Sequence, residues 1–136
     1  MGTRTYAQYC GLACALELGG ERWALLIVRD LLLGPKRFTD LRRGLPRIPS
    51  NVLSSRLREL EAAGIVCRRI QPLPSRWIVY ELTESGRELE DIVIRLGLWG
   101  AKTMREPRDE DTLNTDSVLL GLRALFRHAA APGLTA

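Results

Sequence analysis

Leu53, Leu57 and Leu60 recur at helical spacing through the stretch NVLSSRLRELEAAG, and most positions between them are polar. At about 100° per residue these leucines fall on one narrow stripe. Asn51, Ser55 and Arg58 fall on the opposite side, with Ser54 beside them. The pattern predicts a helix with its body at 51–63. Ser50 is the expected cap, its hydroxyl accepting from a free backbone N–H. Gly64 is suited to the residue just past the end. A helix that only filled a core would not need such a small, hydrogen-bonding front.

The same periodicity locates other helices. Residues 10–18, CGLACALEL, are apolar on most sides and should be largely buried. Gly19-Gly20 ends that segment. A second helix is expected over 22–33, with Trp23, Leu26, Ile27 and Leu31 pointing into the core, and Gly34-Pro35 stops it. RFTDLRRGL predicts a compact helix with Thr39 as N-cap and with Phe38 and Leu41 inward. PRIP, residues 46–49, is a turn into the 50–63 helix.

Beyond Gly64 the pattern changes. IVCRRIQ, 65–71, and RWIVYEL, 76–82, are rich in β-formers, and the PLPS between them is a turn. They predict a hairpin whose tip carries Arg76. Thr83 begins a long helix over 84–104. Its stripe of Leu89, Ile92, Val93, Leu96 and Trp99 is flanked by Ile94 and Leu98. That is wider than packing on a small hairpin requires, so a second copy of the chain is expected against it. Residues 105–116 are charged and loop-like, and 117–128 predict one further helix.

Charge changes the picture by its distribution. Residues 34–80 hold ten Lys/Arg against three acidic residues, and 81–136 hold seven against ten. The first 33 residues balance. The local basic excess fits a polyanion-binding face, the plainer alternative being a solvated basic surface. Composition excludes other classes. Cys10, Cys14 and Cys67 have no framework spacing, and one His leaves little for a metal site or a general base. No apolar run approaches a membrane span. The first residues lack a signal-peptide pattern, so a cytoplasmic protein without cofactor or metal is expected.

A mainly α chain with helix–turn–helix followed at once by a small β-hairpin has the order of a winged helix. The major groove admits one helix, and short side chains at its N-terminus allow close approach to base edges. Asn51 and Arg58 are candidate base readers, with Ser50, Ser54 and Ser55 beside them. Lys36, Arg37, Thr39, Arg42, Arg43 and Arg47 are candidate contacts around the turn, largely to phosphates. Arg76 on the tip suits the minor groove or its phosphates. Arg56, nearer the core stripe, is expected to be a structural ion-pair partner.

These residues carry a family likeness. YC at 9–10, ALELGGERWALLIVRDLLLGPKRFTDLRRGLP at 15–46, NVLSSRLRELEAAGIV at 51–66 and YELTESGREL at 80–89 resemble the HxlR-type winged helix–turn–helix regulators of bacteria. The likeness covers about residues 9–100. It implies a homodimeric transcription factor bound to double-stranded DNA through paired recognition helices (50–63) and wings (71–76), and dimerised through its terminal helices. On this reading residues 1–104 form the DNA-binding and dimerisation domain. Residues 105–136 are a linker plus a C-terminal helix that resembles the start of a sterol-carrier-like domain. Three positions depart from the family pattern. Ile48-Pro49-Ser50 stands for Ile-Ser-Pro, Val79 for a Glu, and Cys14 for an apolar residue.

The resemblance also implies a sensing role for Cys10 in some relatives, which needs a reachable thiolate of lowered pKa. Cys14 lies one turn later. Two further functions compete with DNA binding: a small-molecule or lipid effector protein using the 89–99 stripe, and an enzyme using Cys10. The absence of a nearby His-Asp constellation weighs against the enzyme.

Overall fold

The structure, a computed structural model, describes residues 5–104 and 119–123. Over residues 5–104 the elements follow in order: α1 (Gly11–Gly19), α2 (Ala24–Leu31), α3 (Phe38–Gly44), α4 (Ser50–Ala62), β1 (Val66–Ile70), β2 (Ile78–Leu82), α5 (Glu84–Arg87) and α6 (Glu90–Ala101). The core gathers Ile27, Val28 and Leu31 of α2, Leu41 of α3, the three leucines of α4, and Val66 and Leu82 at the base of the hairpin. Leu53, Leu57 and Leu60 are all buried, as their spacing predicts.

α4 ends as expected. Gly64 takes φ 75°. Its N–H donates to the Glu61 carbonyl (3.0 Å), and the Ile65 N–H to the Leu60 carbonyl (2.9 Å). This is the paired-bond C-terminal motif that a left-handed residue permits, and it sends the chain directly into β1. The strands pair antiparallel from Val66↔Leu82 to Ile70↔Ile78. A further backbone pair joins Lys36 to Tyr80, N–H to carbonyl in both directions (2.9 and 2.7 Å). It ties the segment before α3 to the middle of β2.

Both predicted N-caps are displaced. The Asp40 carboxylate accepts from the Arg37 N–H (3.1 Å), so α3 starts earlier and Thr39 lies within its first turn. At α4 the Pro49 carbonyl accepts from the Leu53 N–H (3.0 Å), which makes Pro49 the cap and Ser50 the first helical residue. Proline offers no side-chain acceptor but tolerates that boundary well. The exchange of Pro49 and Ser50 has this local consequence.

The hairpin is shorter than its β-propensity suggests. Arg76 has φ 48°, a left-handed conformation that cannot continue a pleated strand, so β2 begins at Ile78. The Gln71 N–H donates to the Trp77 carbonyl (2.8 Å) and closes the 71–77 loop.

The predicted long helix is divided. Thr83 caps α5, its hydroxyl accepting from the Gly86 N–H (3.0 Å) and donating to the Gly64 carbonyl (2.6 Å). Glu88 and Leu89 then make bonds of 3₁₀ type to Ser85 and Gly86 (3.2 and 3.1 Å), which tighten the turn before α6. A Cβ on Gly86 would stand 2.2 Å from the Ile65 carbonyl oxygen, so only glycine permits α5 to sit this close to the sheet.

α1 corrects the expectation of burial. Of its apolar residues Ala13 is buried, whereas Leu12, Leu16 and Leu18 are exposed. Leu26 is exposed too, and Trp23 packs against the core only in part. Trp23 stands at φ 81°, just before α2. Leu89, just before α6, and Val93 on it pack against the core, while Ile92, Leu96, Leu98 and Trp99 of α6 are exposed. The expected excess of apolar surface is real. Residues 119–123 form a helical turn with Leu120 buried and Arg123 ion-paired to Glu90. The rest of the segment expected to be linker and helix lies outside the described residues.

Candidate nucleic-acid interface

α3, the turn at 45–49 and α4 together expose Thr39, Arg42, Arg43, Arg47, Ser50, Asn51 and Arg58. Burying the leucine stripe of α4 turns the first-turn residues Ser50 and Asn51 outward, and both are exposed. Ser54 and Ser55 are half-buried, closer to the core than their helical phase implies. Arg58, one turn or two further, is exposed.

The basic residues divide into two groups. Arg56 is occupied: it donates to both carboxylate oxygens of Glu59 (2.9 Å each) and to the Arg22 carbonyl (3.3 Å), with Glu21 at 3.8 Å. It is the structural partner its position predicts, and it ties α4 to the α1–α2 junction. Arg69 is occupied across the hairpin by Glu81 (2.9 Å). That hydrogen bond raises the guanidinium's pKa and holds the Glu81 carboxyl below its ordinary range. Arg37 is engaged with Asp40. Partial burial works against the Asp40 charge, but the bonds from Arg37 outweigh it, and the carboxyl is held below its usual range.

The second group faces solvent. Arg42, Arg43, Arg47, Arg58 and Arg76 are all exposed, and so is Thr39. Arg43 retains a long contact to Asp40 (3.9 Å) with its side chain 77% exposed. Lys36 is half-buried, and its backbone is committed to Tyr80. Arg68 on β1 is a further exposed cation that periodicity alone did not single out. Alternation with the paired Arg69 would have marked it, since neighbouring strand residues face opposite ways.

The cysteines are all free. Cys10 is exposed and caps α1, its sulfur accepting from the Ala13 N–H (3.4 Å). Cys14 is exposed, and Cys67 is half-buried with its thiol 3.9 Å from Glu81 Oε1. Among the described residues no cluster of His, Cys, Asp or Glu is arranged to hold a metal ion. No helix there is long and apolar enough to cross a membrane.

A three-helix core, a polar helix held outward by its leucines and a two-stranded hairpin immediately after it define a winged helix–turn–helix protein. Residues 18–108 match the family described as HxlR-like helix-turn-helix, and the chain belongs to that family. It is similar to the uncharacterized HTH-type transcriptional regulator YybR of Bacillus subtilis (strain 168), 38% identical over 67% of this chain and 73% of that one. Among solved structures it is similar to the redox regulator HypR in its oxidized form. The TM-score is 0.65 and the identity 37%, over 72% of this chain and all of the other. The quinone-bound YodB from B. subtilis matches with a TM-score of 0.58 and 34% identity, over 67% of this chain and 96% of that one. The protein is thus a transcriptional regulator and not an enzyme.

Proposed function

We propose that the protein acts as a homodimer on double-stranded, pseudo-palindromic DNA. The front of α4 enters the major groove, and the 71–76 wing lies against the minor groove. Two-fold symmetry in the protein calls for matching half-sites in the duplex. The sorting of charge carries this reading. Arg37, Arg56 and Arg69 are held close by carboxylates, whereas Arg42, Arg58 and Arg76 are exposed around a small polar helix front, with Arg43 and Arg47 exposed beside them. Asn51 and Arg58 are the base readers in this scheme. Ser50, Ser54, Ser55, Thr39 and the remaining cations, Lys36 included, approach the backbone. Dimerisation draws on the exposed apolar residues of α1 and α6, within a DNA-binding unit of residues 1–104.

The test is fluorescence anisotropy with the duplex upstream of the protein's own gene, against a scrambled duplex, at two salt concentrations. A tight complex that resists competitor and weakens steeply with salt supports the reading. Equal weak binding to every duplex, including those drawn from a random pool, overturns it.

A second reading concerns control. Cys10 is exposed at the N-terminus of α1, where its sulfur accepts from the Ala13 N–H. Solved relatives include a redox regulator and a quinone-bound form. On this reading the Cys10 sulfur adds to the conjugated C=C bond of a quinone: the S–C bond forms as the π bond is consumed, the thiol proton passes to the resulting enolate, and a bulky thioether replaces the cap of α1. Intact-mass analysis after quinone treatment, with Cys10→Ser as control, decides it. A wild-type mass gain absent from the variant, with altered DNA binding, supports the sensor; modification without effect on binding overturns it.

A further inference from the structure

Trp77 is the last residue of the wing loop, and half of it (51%) is exposed. The Arg37 guanidinium lies 4.1 Å from its ring centroid, well within cation–π range. The same guanidinium donates to Asp40 from Nε (3.3 Å) and Nη2 (3.4 Å), and the Arg37 backbone N–H donates to that carboxylate as well. One side chain is therefore fastened to the first turn of α3 and to the base of the wing loop at once. Its neighbour Lys36 is fastened to Tyr80 through the backbone.

The two attachments have different mechanical effects. A hairpin held at the Lys36–Tyr80 pair can still rock about that line. A contact at Trp77, three residues nearer the tip, opposes the rocking. A guanidinium already stacked and paired would also have to give up both partners to meet a phosphate.

We propose that Arg37, expected from the sequence to touch DNA, is instead a positioning residue. With Trp77 and Asp40 it sets the angle at which the wing meets the duplex, and so sets how much the wing adds to affinity at the outer flank of each half-site. The proposal rests on the DNA-binding reading above, and its test separates the two. The probe is a duplex selected from a random pool by the wild-type protein. Wild type, Arg37→Ala, Trp77→Ala, the double variant and Trp77→Phe are compared by anisotropy at several salt concentrations, by hydroxyl-radical footprinting, and by hydrogen exchange in peptides spanning 70–78.

Each alanine variant should bind about three- to thirtyfold more weakly, the range spanned by one such stack. The double variant should bind no more weakly than either single one. Trp77→Phe should recover most of the loss, and the salt slope should stay unchanged. Protection should disappear only at the outer flanks, and wing amides should exchange faster in the free protein. Additive losses, with Arg37→Ala lowering the salt slope by about one, would mean a direct phosphate contact and overturn the proposal. Wild-type binding by Trp77→Ala would overturn it too. If no duplex is selected, the DNA-binding reading fails by itself. Exchange in 70–78 then decides the fastening: unchanged exchange in Arg37→Ala overturns it, and faster exchange upholds it.

Discussion

The part of the molecule built from α3, α4 and the hairpin and the part built from α1 and α6 use their apolar residues in opposite ways. In the first, every leucine of α4 is buried and the outward positions are serine, asparagine and arginine. In the second, Leu12 is 69% and Trp99 66% exposed, and few charges interrupt them. A face studded with cations suits a charged polymer and stays soluble alone. A face of leucine and tryptophan left in water is costly, and a second copy of the same face is the economical cover. One chain thus exposes two kinds of surface, one polar and cationic, the other apolar.

The largest expected effect comes from removing what holds the first region outward. Leu57→Ala should destabilise the domain by about 2–5 kcal/mol, because the position is fully enclosed and the cavity cannot collapse completely. Chemical denaturation measures this. A variant as stable as wild type would mean that α4 is turned the other way, and the polar face assignment would fall with it.

A charge in the second region should act on assembly instead. Leu96→Glu with Trp99→Glu places two carboxylates on an exposed stripe, so the isolated fold should lose little. Sedimentation should show monomer where wild type shows dimer, and DNA affinity should fall because two half-sites are no longer engaged together. Unchanged sedimentation would remove α6 from the interface. The two experiments together test whether the regions are as separate as their surfaces suggest.

This contrast was readable in the sequence to different depths. The α4 stripe, Gly64 and the order of helices and hairpin were legible because periodicity and turn chemistry are local. The wide stripe on α6 was also legible, though its division into α5 and α6 was not. That break falls at Glu88 and Leu89, whose N–H groups bond back to Ser85 and Gly86, and the apolar periodicity runs on through it unmarked. The burial expected for α1 failed for a related reason. Apolar content says that a surface needs cover, not whether the cover lies in the same chain. At the candidate site, exposed Arg58 and occupied Arg56 were separable by helical phase. The engagement of Arg37 was not, because its partner Trp77 is forty residues away and adjacent only after the wing folds back.

Within the first region, two arginines sharpen the picture further. Arg58→Ala should cost about 1–3 kcal/mol of binding and relax preference at one base position, if its pairing is bidentate. Arg76→Ala should weaken all sequences alike and reduce the salt slope by about one. Binding measured on a set of single-base operator variants separates the two. A base-specific loss from Arg76→Ala would move the wing from backbone to base reading.

The smallest effect concerns pH and the cap of α3. Arg37 holds the Asp40 carboxyl below its ordinary range. A carboxylate whose pKa is lowered on folding stabilises the fold above its unfolded value, about 3.9, and loses that contribution as pH falls through the folded value. Glu81 is depressed in the same direction by Arg69, so the wild-type profile alone would not distinguish them. Asp40→Asn does, since it keeps an acceptor oxygen for the Arg37 N–H and removes only the charge. Thermal midpoints of the two proteins should differ modestly at neutral pH, as the pair is partly solvated, and converge as pH falls through the lowered folded value. A difference that persisted undiminished in acid would assign the cap's contribution to hydrogen-bond geometry and not to charge. The wing angle set through Arg37 would then be insensitive to protonation at Asp40.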